Sequence, residues 1–370
     1  MIRTTMLAVG AMLLFVLLIA LPASAAPWPH GAVFVQTNRT SNSIVVYDRG
    51  GNGTLAKAGE YTTGGQGATA QGAVVDPLAS QSSVAIADAG RVLLTVNAGS
   101  DNISVFRITQ GDKLYRKQVV SSGGPFPASL AVHGNLVYVL NAGGTGSVQG
   151  FWLTGDTLRP VWRSHRSLGL ANATPPNFLA SPGQIGFTPD GRRVVVTTKA
   201  SGSTIDVFAV RPSGQLGTPV GTVSATPVPF AFSFDPAGRL VVVEAAMSTV
   251  STYTINADGS LTVIGSAPNG QTAACWITAA RGFYFVANAG SANISTYSLT
   301  AGGLPGIIGA PTAAAAGAID MAASRDQRFL YAESGGTGSL LVYAIHSDGS
   351  LSLLQTVTGL PAPYEGIAAD

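Results

Sequence analysis

Val96–Ile108 reads VNAGSDNISVFRI, and Ala287–Leu299 reads ANAGSANISTYSL. The two stretches lie 191 residues apart and share the run NAGSxNIS. Each is a β-branched run, a tight polar turn and a second β-rich run ending on an aromatic, which is the pattern of a hairpin. The terminal aromatic recurs seven times, as Tyr47, Phe106, Phe151, Phe208, Tyr253, Tyr297 and Tyr343. Their spacings are 59, 45, 57, 45, 44 and 46 residues. Before each runs another apolar stretch, such as VLLTV, LVYVL or FYFVA. Turns such as TPDGR (188–192) and DPAGR (235–239) stand upstream of it, and DGSL turns stand downstream of two of the aromatics. Each period therefore predicts four strands, A to D, joined by hairpins.

Four-stranded units repeated seven times predict an all-β, seven-bladed β-propeller of antiparallel blades rather than a linear solenoid. The chain ends decide between the two. GAVFVQT (31–37) reads as a B strand with no A strand before it, and the terminal GIAAD (366–370) reads as an A strand with no B strand after it. Pairing them closes the ring and removes both sheet edges. No stretch after Ala26 has helical periodicity.

Composition narrows the function classes. The chain has 20 Lys and Arg against 18 Asp and Glu, so neither nucleic acid nor an anionic membrane is an expected partner. The 46 glycines suit many tight turns, and the single cysteine, Cys275, forbids an intrachain disulfide. Arg3, the uncharged apolar run Met6–Leu21 and Ala23-Ser24-Ala25 read as a signal peptide over 1–25, cleaved after Ala25. A retained anchor is the alternative. The expectation is one propeller domain over 26–370, with no membrane span after cleavage, monomeric and placed outside the cytoplasm: secreted, periplasmic or on the cell surface. HExxH, CxxC, GxSxG, P-loop and EF-hand patterns are absent, so no metal or cofactor is expected.

The NAGSxNIS hairpins and the FTPDGR-type turns resemble the lactonase-type propellers, which include 6-phosphogluconolactonases and carboxymuconate cyclases, and the YVTN-type repeats of exported proteins. That resemblance implies a site on the top face, where the B–C turns and D–A connections meet. The family places a His before one A strand, an Arg before the next, a Glu at a B-strand end and a further Arg. Here those positions fall on Gly183, Phe230, Glu244 and near Ala274.

The repeat itself nominates residues. The column at the end of strand B reads Asn38, Asn97, Asn141, Lys199, Glu244, Asn288 and Glu333. Asn suits hairpin chemistry, bonding turn backbone and tolerating left-handed geometry. Lys199, Glu244 and Glu333 break the rule, either as exposed turn residues or as a polar cluster beside the channel mouth. Glu244 and Glu333 are the catalytic candidates, each available as a base. Lys199, Gln184, Phe230, Trp276, Asp320 and Glu365 are the ligand-binding candidates. Phe230 and Trp276 would either fill the channel top or join the acids in a cup for a lactone-like, sugar-like or protein ligand. Two long D–A insertions, 62–76 and 162–182, fall on the same face, the second carrying Arg163, His165 and Arg166. The reading is an exported binding or scaffold propeller with a degenerate lactonase-type site. The alternative is a hydrolase or isomerase of an unphosphorylated lactone using Glu244 or Glu333.

Overall fold

Strands such as Leu136–Asn141 (LVYVLN) and Leu240–Glu244 (LVVVE) are buried at every position, whereas Leu55–Thr62 (LAKAGEYT) and Leu351–Thr358 (LSLLQTVT) are largely open to solvent. A sheet that is covered on both faces near its centre and wet at its outer strand is a blade stacked between two others. The computed structural model describes Met1 and residues 31–370, and the expected signal peptide with its cleavage site lies outside them. Seven sheets follow one another along the chain, each with strand order A-B-C-D. Six have four strands. In blade 3 the outermost strand is broken, so Thr157–Pro160 and Arg166–Ser167 both pair with Ser147–Thr154.

The innermost strands are Ile367–Ala369 in blade 1, then Val84–Ala87, Pro127–His133, Gln184–Phe187, Pro229–Phe234, Ala274–Ala280 and Ala318–Ala323. Each touches the next, and the last touches the first, which makes a closed ring. Closure is by the expected pairing: Val33, Phe34 and Val35 lie opposite Ala369, Ala368 and Ile367. Gln36 N donates to Gly366 O at 2.8 Å, and Asp370 N to Ala32 O at 2.9 Å, extending the ladder at both ends.

The core is distributed between blades. One apolar cluster joins blades 7 and 1, another blades 1 and 2, another blades 2 and 3, and so round the ring. The seven strand-C aromatics fill these seams, every one of them 3% exposed or less. Helix is confined, among the described residues, to two 3₁₀ turns, Asp88–Gly90 and Lys199–Ser201.

Candidate functional site

The NAGSxNIS runs are explained by one hydrogen-bond pattern used twice. Asn97 Nδ2 donates to Asn102 Oδ1 (2.7 Å) and Ser104 Oγ (2.8 Å), and Asn288 Nδ2 donates to Asn293 Oδ1 (2.7 Å) and Ser295 Oγ (2.9 Å). The preceding blade supplies a donor to each, Asn42 Nδ2 to Asn97 and Asn269 Nδ2 to Asn288. The expected bonds to turn backbone are replaced by these side-chain bonds. Left-handed geometry belongs to the turn positions Asp101 (φ 53°) and Ala292 (φ 51°), and within the column only to Asn38 (φ 56°) and Lys199 (φ 49°).

The central channel is crossed by the chain itself. The first insertion leaves blade 1, and its continuation, residues 76–83, spans the ring before the inner strand of blade 2. Ser80 Oγ and Gln81 O bond Ala128 O and Ser129 Oγ of blade 3, and Gln81 N donates to Gly183 O before blade 4. Gln81 also pairs through its side-chain amide with both backbone groups of Ile277 in blade 6, each bond at 2.9 Å. A segment bonded to inner strands on opposite sides of the ring lies across the axis. Its Ala79 (φ 53°) and Ser82 (φ 68°) are left-handed without being glycine, a conformation that persists only where surrounding contacts impose it.

Most of the nominated residues converge on this plug, and none is exposed. Glu365 accepts from the plug amides Leu78 N (2.6 Å), Ala79 N (3.2 Å) and Ser80 N (3.1 Å). Trp276 Nε1 donates to Ser80 O at 2.8 Å. Lys199, fully buried, donates to Ala79 O (2.6 Å), Ser181 Oγ (2.8 Å) and Phe178 O, so it clasps the plug and the second insertion together. The two insertions also join directly, with Gln71 bridging Asn177. Phe230 packs edge-on against Trp276 at 5.0 Å and lies 4.8 Å under the Lys199 ammonium, within cation–π range.

Around the plug lies an acid cluster with one base, Asp76 belonging to the segment itself and Asp320, Glu333 and Glu365 to the blades. Asp320 Oδ1 accepts from Met321 N and Glu333 Oε2 from Gly366 N, both at 2.9 Å. Asp320 Oδ2 and Glu333 Oε1 are buried without a hydrogen-bond partner. Burial pushes Asp320 up to about 7, and Asp76 up to about 6 despite the pull of Lys199. Glu333 and Glu365 stand well above the carboxylate range, first through burial and then through repulsion by Asp320 and, for Glu365, Asp76. Burial lowers Lys199 to about 8 and raises the adjacent Cys275 thiol. Four carboxyls beside one ammonium in a dry space favour protonated acids. Among the described residues, no three His, Cys, Asp or Glu side chains are placed to hold a metal ion.

Glu244 and Gln184 stand apart from the plug. Glu244 turns into its own blade, accepting from Thr226 Oγ1 and Ser251 Oγ (both 2.6 Å) and from the Tyr253 hydroxyl. Gln184 Oε1 accepts Phe232 N at 2.6 Å and stitches blade 4 to blade 5. In the second insertion, Arg163 stacks 4.2 Å over Trp162, and Arg166 spends its guanidinium on the carbonyls of Leu216, Arg163 and His165. At Gly183 a Cβ would come 2.5 Å from Phe230 O, so the backbone leaves no room for a side chain where the lactonase pattern has histidine. Asp76, Ser80 and Gln81 escaped nomination because they lie outside the repeat. The only sequence signal for them is the spacing of 59 rather than about 45 between the first two aromatics.

Residues 28–151, about a third of the chain, match the family model described as lactonase, 7-bladed beta-propeller. No curated protein sequence matches. Several solved structures share the fold. A Lactobacillus plantarum protein is 21% identical, with a TM-score of 0.74 over 92% of this chain and 98% of its own. A putative 6-phosphogluconolactonase from Bacteroides fragilis is 14% identical, with a TM-score of 0.75 over 93% of this chain and 100% of its own. The periplasmic gluconolactonase of Pseudomonas aeruginosa is 19% identical, with a TM-score of 0.69 over 91% and 98%. With seven ring-closed blades, a family match over its first blades and these neighbours over its length, the chain is a lactonase-like seven-bladed β-propeller.

Proposed function

We propose that the protein is an exported binding propeller whose lactonase-type centre has become structural. The plug carries this reading. The place where a lactone would meet the inner strands is filled by residues 78–81, and Glu365, Trp276 and Lys199 are engaged with that segment. Gly183, Phe230 and Ala274 supply no charged donor for a developing oxyanion, and losing even one such donor costs about 10²–10³ in rate. Glu244, the remaining match, already accepts three hydroxyl donors. Export rests on the leader-like sequence of 1–25. Among the described residues, no helix is long and apolar enough to cross a membrane.

One observation favours the hydrolase or isomerase reading. Asp320 and Glu333 each keep an unpartnered carboxyl oxygen in a cluster of raised acids, and such clusters gather at catalytic centres. That chemistry requires the plug to leave. A hydrolysis assay with 6-phosphogluconolactone and a panel of unphosphorylated lactones tests both readings. The expected trace is flat for all of them. Steady turnover that vanishes in Glu333→Gln or Glu244→Gln would establish the enzyme instead.

A further inference from the structure

The two ends of the propeller differ in charge. The bottom loops, between strands A and B and between C and D, expose charges in blade after blade, among them Arg91, Lys113, Arg192, Arg281, Arg325 and Asp348. The top connections, between B and C and between D and A, expose almost none. Arg163 and Arg166 of the second insertion lie on the outer wall, where the chain still pairs with Ser147 and Val148. Asp76, Lys199 and Glu365 are buried. What remains at the top, among the described residues, is Arg39 on blade 1 and Asp101 on blade 2. Elsewhere that face is Gly, Ala, Ser, Thr and Asn. Surfaces left to solvent are normally studded with charge, and the core of an interface is depleted of it.

The same face is stepped. The first insertion rests on the B–C turns of blades 1 and 2, with Gly67 N donating to Arg39 O (2.7 Å) and Gly99 N to Gln66 O (2.8 Å). The second rests on those of blades 3 and 4, with Gly144 N donating to Ala173 O and Ala200 N to Leu179 O, both at 3.1 Å. Val75 reaches the turn of blade 7, where a Cβ at Gly335 would overlap its carbonyl oxygen. Phe178 N joins the two insertions by donating to Gln71 O at 3.0 Å. The turns of blades 5 and 6, residues 245–248 and 289–292, receive no hydrogen bond from either insertion and form a lower level. Apolar side chains stand out on both levels: Val74 (81% exposed), Phe178 and Leu179 above, and Met247 (63%) below.

We propose that a second copy of the chain covers this face. The two propellers meet top to top about a two-fold axis, offset so that the raised part of each rests on blades 5 and 6 of the other. A two-fold contact uses one patch twice, so the patch must complement itself. A step does so in shape, and a surface almost free of charge sets no repulsion against its own copy. Val74 then reaches Met247 of the partner subunit. Strands about 4.8 Å apart, four deep, give the face a radius of roughly 20 Å and an area on the order of 1,200 Å². Two-thirds of that is the roughly 800 Å² that each partner gives to a standard interface. A lipid surface would instead ask for basic residues around the apolar ones, and Arg39 is alone there. The pairing goes beyond the binding role and replaces the monomer expected from the sequence. It encloses the plugged channel mouth between two copies and leaves the charged bottom faces to solvent.

Sedimentation velocity and light scattering of the purified protein over a range of concentrations test it. A dimer is expected, its dissociation constant nearly unchanged by added salt because no ion pair crosses the contact. Val74→Asp and Met247→Asp each place an unpaired charge in the contact and should weaken it about tenfold or more. Both positions are exposed, so the circular dichroism spectrum of each variant should match the parent's. Leu353→Asp, at an exposed position on the outer strand of blade 7, should leave the dimer as it is. A monomer at every concentration, a dimer untouched by both top-face substitutions, or one abolished by Leu353→Asp would overturn the proposal. The lactone assay is read separately, so turnover together with a dimer would overturn only the plugged-centre reading.

Discussion

Asn97 has no solvent exposure and satisfies four side chains at once: Asn102, Ser104, Asn42 and Thr63. Asn97→Ala would strand these partners around a small cavity, and buried polar groups without partners are costly. The expected loss is about 2–4 kcal/mol of unfolding free energy, read as a fall in the denaturation midpoint. Asn38 occupies the same column, yet its Nδ2 is enclosed without a partner and its Oδ1 accepts only from Gln36 Nε2 at 3.4 Å. The column was visible in the sequence because a repeat fixes each position relative to its own blade. The direction of a side chain depends on the neighbouring blade and on insertions, which no repeat encodes. Hence Glu244 and Glu333, equivalent by spacing, have different surroundings. One is bonded by three hydroxyls within and beside its blade, and the other lies beside Asp320 and Glu365 in the buried acid cluster.

The plug and the second insertion form an added layer whose chemistry sets a pH dependence. Asp76, Asp320, Glu333 and Glu365 all have folded values raised above the ordinary carboxyl range, facing Lys199, Cys275 and the Tyr364 hydroxyl. A raised acid binds its proton more tightly when folded. Its contribution to stability is complete below the ordinary carboxyl value and is lost as pH rises through the folded value. Between about pH 4 and 7 these groups should therefore make the protein less stable as pH increases. Thermal unfolding at pH 5.5 and 7.5 should show the higher midpoint at the lower pH. Glu333→Gln, which removes one of the titrating groups, should flatten that difference. A midpoint that rises with pH over this range would mean that the cluster is ionised when folded. The two insertions and their shared face were legible from the long spacings, but the path of the plug was not, because residues 62–83 are Gly-, Ala- and Ser-rich and carry no strand or helix period.

At the scale of the whole molecule the sequence was informative, since seven aromatics, four of their six spacings between 44 and 46 residues, admit few arrangements and the unmatched end strands complete one another. Removing Tyr364–Asp370 would expose Ala32–Gln36 as an open edge and take away both the Glu365 grip on the plug and the buried Tyr364, whose hydroxyl donates to Ser339 O. Against a total stability of about 5–15 kcal/mol, such losses should prevent a folded monomer. Size-exclusion chromatography should find aggregate in place of a compact species, and a truncated chain that melts like its parent would refute the closure argument. The same closure orders events in time. Each of blades 2 to 7 takes all its strands from one short stretch of chain and can pair as it emerges, whereas Val33 must wait for Ala369. The plug waits as well, because residues 78–81 find their partners in Ala128, Ile277 and Glu365 only after most of the chain has been made. Long-range pairings of this kind are slow to form. A nascent chain of this protein therefore remains an unsealed ribbon with a loose early segment, and ring and axis are completed together in one late step.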